Sequence, residues 1–417
     1  MNNSPLEFLA KKYGNVVKYD NAGNIIGIFV RFYKRKSSDL ATGLPEHTHP
    51  AFIINGVEQD SILLGKYKAG ESGGSGDPLL SMPNIMPARS MGADQMLSRI
   101  RAAGPGISGM TCADYGFIKL LAQKEGWVPK GNTYWGQSHK DGTAWKVGDS
   151  MQVGTERAYE GYVYKCLIAH TAVAELKPDI APNYWKKGEF IGGISQDNAK
   201  DNNMQTGYRT LNGSGPLDWY LGSDPGNLAD IIGSSLEQQY GYRIYDCELQ
   251  ILENNNAADP NADLSAGSAA WKAILPNKSD DGYTLVAPGT AGTLHWNWVN
   301  GTVKLDTQCD DFSVGYKGLS FKDLTANTTR LPYVPSIVKE LGLFPTGSED
   351  KTEGYYWLYI GKGERFPRRG GYSDGPSYAG LGFVDGYIGR GHGDAYCGGR
   401  SRKLDSELLK GCAIARP

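Results

Sequence analysis

The stretch that decides the fold is RGGYSDGPSYAGLGFVDGYIGRGHGDAYCGGR, at residues 369–400. Small residues alternate here with Tyr, Phe, His and Asp, and few aliphatic side chains interrupt them. A core strand would be rich in Val and Ile, so this composition predicts loops and exposed strand. Tyr, Asp and His on a backbone bent by glycine favour a recognition surface. The plainer alternative is an ordinary glycine-rich loop region.

The charge and hydropathy of the chain exclude two classes of partner. The 417 residues include 43 Lys and Arg against 45 Asp and Glu, and the longest basic run is Lys34-Arg35-Lys36. Duplex nucleic acid needs a concentrated basic surface, so we expect no nucleic-acid binding. No apolar run approaches the ~20 residues that span a bilayer, so we expect no membrane insertion. Since residues 1–4 show no basic and apolar signal region, we expect synthesis in the cytoplasm.

Local patterns predict a mixed α and β protein. Alternating apolar residues from Ile26 to Phe32 predict a strand, and helical spacing predicts a helix around Met96 to Ala103. A second helix is expected after Thr111, where Asp114 completes a capping-box pattern. A third, short helix is expected from Ser336 to Leu341, and short strands and turns dominate the rest. The predicted class is therefore α+β, not an alternating βαβ fold.

Isolated features offer little chemistry. His47 and His49 lie on one side of an extended segment, where a metal ion could bridge them. The six Cys are scattered without a CxxC pair, and the GxSxG match at 70–74 is not followed by the helix that a nucleophile elbow needs. The sequence therefore leaves the metal question open and predicts no catalytic residues.

Several short motifs occur in a familiar order: TCADY at 111–115, GWVPKGN at 126–132, RTLNGSGP at 209–216, RGG at 369–371 and GGR at 398–400. The order of these motifs resembles the formylglycine-generating-enzyme branch of the C-type lectin fold, and most closely the variable proteins of diversity-generating retroelements and phage tail receptor-binding proteins. The resemblance implies a C-type-lectin-like domain with two main helices, short twisted antiparallel sheets and much loop.

The region at 142–190 interrupts this order with an aromatic set of its own, which predicts a small all-β inserted module. It resembles the chitin-binding-type carbohydrate modules, and Tyr184 and Trp185 would be its sugar-stacking pair. The alternative for Trp145 and Trp185 is the core of the module, because ~45 residues bury little surface.

The resulting division of the chain has four parts. Residues 1–44 form an N-terminal segment with a strand, which attaches the protein to a larger assembly. Residues 45–141 form the first part of the lectin-like domain, and 142–190 form the insert. Residues 191–417 form the remainder, with the ligand-binding region at 369–400.

In the family, the Arg-Gly-Gly and Gly-Gly-Arg signatures bracket the variable, ligand-binding end of the fold. Carried over, the resemblance implies that nine side chains between them point outward to a ligand. These are Tyr372, Asp374, Tyr378, Phe383, Asp385, Tyr387, His392, Asp394 and Tyr396.

The enzymes of the family hold copper with a pair of Cys in this region, whereas only Cys397 lies between residues 369 and 400. We therefore expect a protein that is not an enzyme and requires no cofactor. The family allows a structural calcium ion, although residues 230–237 depart from the family motif at that place.

The function that the resemblance implies is receptor recognition by a phage or prophage protein located in the virion. Its partners would be a bacterial surface protein or glycan and other tail proteins, with a homo-oligomer also compatible. The alternatives are a formylglycine-generating-type oxidase and a structural virion protein that binds no ligand.

Overall fold

The computed structural model describes residues 5–74, 76–194 and 209–405. The α-helices in these ranges are α1 (Pro5–Lys12), α2 (Ala93–Arg101), α3 (Cys112–Lys124) and α4 (Ser336–Glu340). None of these described helices is long and apolar enough to cross a membrane.

Short strands make up most of the other regular structure. In the first half of the chain they are β1 (Val16–Tyr19), β2 (Ile25–Tyr33), β3 (Ile53–Ile54), β4 (Val57–Glu58), β5 (Ser61–Lys68), β6 (Gly70–Glu71), β7 (Leu79–Leu80), β8 (Ile107–Gly109), β9 (Ser150–Met151), β10 (Glu156–Tyr159), β11 (Tyr162–Cys166), β12 (His170–Thr171) and β13 (Trp185–Phe190). In the second half they are β14 (Leu236–Gln238), β15 (Tyr242–Tyr245), β16 (Glu248–Ile251), β17 (Lys272–Pro276), β18 (Tyr283–Val286), β19 (His295–Val299), β20 (Thr302–Asp306), β21 (Gly315–Ser320), β22 (Thr325–Ala326), β23 (Tyr355–Ile360), β24 (Glu364–Arg365), β25 (Arg368–Gly370), β26 (Gly380–Gly386), β27 (Cys397–Gly398) and β28 (Arg400–Lys403).

The predicted α+β class is confirmed, and so are the two main helices, α2 and α3. The start of α3 follows from its capping box: the Thr111 hydroxyl accepts a hydrogen bond from the Asp114 amide at 3.1 Å, and the Asp114 carboxylate accepts one from the Thr111 amide at 3.0 Å. Gly126, at φ 65°, lies just beyond the end of this helix. The sequence did not predict α1.

A five-stranded sheet joins the two ends of the chain in the order β1-β2-β5-β28-β8. Strand β2 pairs with β5, and β28 pairs with β5 on its other side. Val30 and Phe32 of β2 are buried in the same core as Tyr115 of α3. The N-terminal segment that was predicted to end at residue 44 therefore packs into the same core as the chain that follows it.

A six-stranded sheet carries the C-terminal region in the order β21-β23-β26-β25-β14-β27. Strand β14 pairs antiparallel with β25 on one side and parallel with β27 on the other. Glu237, in the middle of β14, lies opposite Arg369 and opposite Gly398. The two ends of the 369–400 segment are thus held together across a single short strand.

A buried ion cluster links these two sheets. The Glu237 carboxylate accepts hydrogen bonds from the Lys68 ammonium at 2.8 Å and from the Arg400 guanidinium at 2.7 Å, and all three side chains are fully buried. Burial alone would raise the pKa of Glu237, but Arg400 and Lys68 hold that pKa below its ordinary value. Arg400 also donates to the carbonyls of Gly65, Lys66 and Ala229.

The inserted region is built from β9 to β13, which form one three-stranded and one two-stranded sheet. Its hydrophobic cluster includes Trp145, Tyr159, Tyr164 and Trp185. The short turn of 3-10 helix at Ala174–Leu176 interrupts an otherwise all-β arrangement.

We predict that Glu237→Gln lowers the free energy of unfolding by about 3–5 kcal/mol, because it leaves two buried cations without a counter-charge. The measurement is denaturant unfolding. Glu46→Gln is the matched control, since Glu46 pairs with Lys36 at 2.6 Å but both side chains are exposed, and we expect it to leave the midpoint unchanged. Equal effects of the two substitutions would contradict the role assigned to the cluster.

Candidate functional site

Strand β23 presents alternate residues to opposite sides of the six-stranded sheet. Tyr356, Leu358 and Ile360 are fully buried in the main core. Tyr355 and Trp357, which alternate with them, are half-buried on the other face. The period of two along a strand explains this division, and it places aromatic rings on the outer face of the sheet.

Five rings make contact on this outer face, and we call them the aromatic row: Tyr316, Tyr355, Trp357, Tyr378 and Tyr387. Tyr316 stacks on Trp357 with ring centroids 4.7 Å apart, and Tyr387 packs edge-on against Tyr316 at 4.8 Å. Tyr378 packs against Tyr355 at 5.1 Å and Trp357 at 5.3 Å. The row therefore combines strands β21 and β23 with the loops on either side of β26.

A second group of side chains adjoins the row, and we call it the acidic corner: Tyr372, Asp374, His392, Asp394 and Tyr396. The Tyr372 and Tyr396 rings lie 4.7 Å apart, and the Tyr396 hydroxyl donates to Asp374 at 2.8 Å. The Asp394 carboxylate contacts His392 Nε2 at 2.9 Å and accepts from the Tyr396 amide at 2.9 Å.

The electrostatics of the acidic corner reflect partial burial. Burial raises the pKa of Tyr372 to about 12, and the nearby Asp374 and Tyr387 reinforce this shift. Burial also raises the pKa of Asp374, against the effect of the Tyr396 hydroxyl. Burial acts on Asp394 in the same direction, but Arg368 lowers its pKa below the ordinary value. The corner thus combines phenol hydroxyls, which can donate hydrogen bonds, with carboxyl groups, which can accept them.

Seven of the nine side chains that the sequence predicted for a ligand surface are exposed or half-buried, and they belong to these two groups. The prediction was wrong for Phe383 and Asp385, which are buried. Both lie on β26 beneath the loops. The ring centroids of Phe383 and Tyr372 are 6.1 Å apart, and the Asp385 carboxylate accepts a hydrogen bond from the Arg368 guanidinium at 2.5 Å. The expectation of exposed strand is corrected in the same way, because every residue of β26 is buried.

The Arg-Gly-Gly signature supports the surface from below. Arg369 is buried, donates to the carbonyls of Phe383 and Gly342 at 2.9 Å each, and lies 4.5 Å from the centre of the Tyr115 ring. Gly371 has φ 86°, and a β-carbon there would lie 2.6 Å from that of Ala379. This signature therefore fixes the loop and has no exposed side chain for a ligand.

The cysteines have different surroundings. Cys397 is buried, Arg368 donates a hydrogen bond to its sulfur, and burial raises the pKa of its thiol to about 11. Cys247 and Cys309 lie close to each other, and their thiols donate to the carbonyls of Gly361 and Asp311 respectively. Cys412 lies outside the described residues.

Tyr316, Tyr355 and Trp357 were missed by the sequence analysis. The alternation in YYWLYI at 355–360 could have assigned Tyr355 and Trp357 to one face of a strand. That they join Tyr378 and Tyr387 depends on the pairing of β21, β23 and β26, which are distant in sequence.

Of the sugar-stacking pair predicted in the insert, the prediction was wrong for Trp185 and remains open for Tyr184. Trp185 is buried and its indole nitrogen donates to the Leu176 carbonyl at 2.9 Å, so it belongs to the core of the insert. A ring enclosed on both sides cannot stack on a sugar. Tyr184 is half-buried, with its ring 5.1 Å from that of His170.

The two histidines that a metal ion could have bridged are both bound to Glu340. His47 Nε2 lies 2.6 Å from the Glu340 carboxylate, and His49 Nε2 donates to the Glu340 carbonyl at 3.1 Å. The Glu340 hydrogen bond raises the pKa of His47, whereas burial lowers the pKa of His49 to about 4. Within the described ranges, no group of three or more His, Cys, Asp or Glu side chains is arranged to hold a metal ion.

Comparison of the chain with protein-family models and with curated proteins gave no match.

We predict that His47→Gln destabilises the protein more at about pH 5.5 than at about pH 9. The pKa of His47 is raised in the folded state, so its proton contributes stability below the ordinary value of 6.5 and this contribution is lost as the pH rises through the folded pKa. Urea unfolding of the unsubstituted protein and of His47→Gln at the two pH values measures the difference in the free energy of unfolding. His49 is present in both proteins, so its titration does not contribute to that difference. The same difference at both pH values would contradict the assignment.

Proposed function

We propose that this protein recognises a receptor on a bacterial surface and belongs to a phage or prophage particle. In this proposal the chain has the C-type-lectin-like fold of the formylglycine-generating-enzyme branch. The ligand, a surface protein or a glycan, binds to the aromatic row and the acidic corner.

The observation that carries the proposal is the gathering of ten side chains into these two neighbouring groups. Seven of them come from the segment that the family uses for ligand binding, and three come from β21 and β23. Tyr316 and Tyr387 keep 46% and 38% of their surface exposed, although both are large rings. Exposed Tyr beside acidic and amphipathic groups suits a binding surface, because each ring offers contact area at little entropic cost.

The N-terminal end of the chain supports the second part of the proposal, attachment to a particle. On helix α1, Phe8 and Leu9 are 64% and 48% exposed. Apolar side chains that remain exposed next to each other favour a protein contact. The proposal therefore assigns α1 to contact with other tail proteins.

Cys397 is the residue that separates this proposal from an oxidase. Family oxidases hold copper with a pair of Cys in this region, whereas Cys397 is the single Cys between residues 369 and 400, and its sulfur accepts a hydrogen bond from Arg368. The binding proposal uses no thiolate. In the insert, Tyr184 stays the proposed sugar-contacting residue.

We predict that the triple substitution of Tyr378, Tyr387 and Tyr396 to Ala lowers adsorption to host cells at least tenfold, because it removes rings from both groups. Adsorption of labelled protein to a panel of bacteria measures the effect. The matched control replaces Tyr245 and Tyr333, which are 44% and 47% exposed, by Ala. Unchanged adsorption of the triple variant would favour a structural spacer, and equal losses in both variants would point to misfolding.

We also predict where natural variants of the gene differ. Substitutions between residues 369 and 400 should concentrate at the seven exposed or half-buried positions named above and spare Phe383, Asp385, Arg369 and Arg400, whose side chains are buried. Resequencing the gene across a bacterial or phage population measures this. Substitutions at buried positions as often as at exposed ones would contradict diversification of the surface.

A further inference from the structure

A groove begins where the aromatic row ends. Its volume is about 440 Å³, within the roughly 300–1,000 Å³ of small-molecule sites. Ser320 lies opposite Tyr355 in the pairing of β21 with β23, and Gly354 and Ser377 precede Tyr355 and Tyr378 in the chain. The groove and the row therefore form one continuous surface. The wall of the groove includes His139, Ser320, Lys322, Lys351, Glu353 and Ser377.

The groove carries an excess of positive charge. Lys322 and Lys351 are both exposed at its wall. The negative charge of Glu353 is neutralised by an ion pair with Lys140. Burial lowers the pKa of His139, so its ring is neutral at pH 7. Lys351 also donates to the Ser348 carbonyl at 2.6 Å, and the ammonium groups of Lys322 and Lys351 carry the remaining charge of the groove.

The polar groups between the two lysines match an oxyanion. Ser320 and Ser377 contribute hydroxyl groups to the wall, whereas the Thr352 hydroxyl already donates to Asp350 at 2.6 Å. A hydroxyl can donate to a carboxylate or phosphate oxygen while the ammonium groups supply the charge. The rings of Tyr355 and Tyr378, which are 5.1 Å apart at the mouth of the groove, supply the apolar contact beside it.

We propose that the ligand is an anionic polysaccharide, whose sugar rings lie on the aromatic row and whose acid groups enter the groove between Lys322 and Lys351. This inference rests on the proposed function and names the chemical class of its ligand. A neutral glycan would leave the two ammonium groups unused, and an acidic protein segment would leave the exposed ring surfaces of Tyr316 and Tyr387 without sugar to cover.

The test measures binding of the whole chain to three polymers: polygalacturonate, a phosphorylated mannan and neutral dextran. We expect one or both charged polymers to bind at least tenfold more tightly than dextran, and the stronger of the two identifies carboxylate or phosphate as the acid group. We expect this binding to weaken between 50 and 300 mM NaCl, because exposed charges are screened over about 8 Å at physiological salt.

The double substitution Lys322→Gln and Lys351→Gln should lower binding of the charged polymer at least tenfold. Its matched control is Lys12→Gln with Lys278→Gln, which removes the same charge from exposed positions on α1 and in the loop after β17. Loss of binding in the control as well would show a nonspecific charge effect and overturn the proposal. Dextran binding as tightly as the charged polymers would overturn it too.

The same variants, tested in the cell adsorption assay, distinguish failure of the anionic-ligand inference from failure of the proposed receptor recognition. Adsorption that depends on Tyr378, Tyr387 and Tyr396 but not on Lys322 and Lys351 would leave receptor recognition standing and refute the anionic ligand. Lysine-dependent binding of polygalacturonate or mannan without adsorption to any cell would support the groove and refute receptor recognition.

Discussion

The ion cluster of Glu237, Lys68 and Arg400 is the constraint on which the C-terminal half depends. Lys68 ends β5 and Arg400 begins β28, so both cations belong to the five-stranded sheet, while Glu237 belongs to β14 of the other sheet. Three fully buried charges are tolerated only when opposite charges are paired and the remaining donors find carbonyls, as those of Arg400 do. The cluster therefore fixes how the two sheets meet.

Because of this constraint, residues 369–400 divide into buried residues that hold the segment in place and loop residues whose side chains remain exposed. Arg369 and Arg400, at the ends of the segment, are buried; β14 pairs with the strand of Arg369, and Glu237 of β14 binds the Arg400 side chain. The loops between them start and finish at fixed points, so their side chains need not contribute to the core. Tyr378 and Tyr387 can consequently remain partly exposed while β26, between them, is buried along its whole length.

The sequence predicted the features that depend on residues close together in the chain. It did not predict the features that depend on the pairing of strands distant in sequence. The capping box at Thr111 and the alternation in β2 are local, and both elements formed as expected. The prediction that Phe383 and Asp385 point outward was wrong. Small and aromatic residues alternate along 369–400, and this alternation does not reveal which face of β26 the loops cover. Trp185 is a core residue, and composition alone does not distinguish a core tryptophan from an exposed tryptophan that stacks on sugar. The cluster at Glu237 was also unpredictable, since charged side chains are expected at the surface.

Under the proposed receptor-binding function, the burial of the two arginines beneath the exposed loops also limits how ligand specificity can change. A substitution at Tyr387 or His392 alters an exposed side chain, and surface changes of this kind usually shift stability by less than about 0.5 kcal/mol. A substitution at Arg369 would break buried hydrogen bonds to strand β26 and to the loop after α4, and a contact with Tyr115. Tyr316, Tyr355 and Trp357 occupy an intermediate position, because their strands form the sheet but their rings face outward. They therefore supply a constant part of the surface, next to loops whose side chains are free to differ.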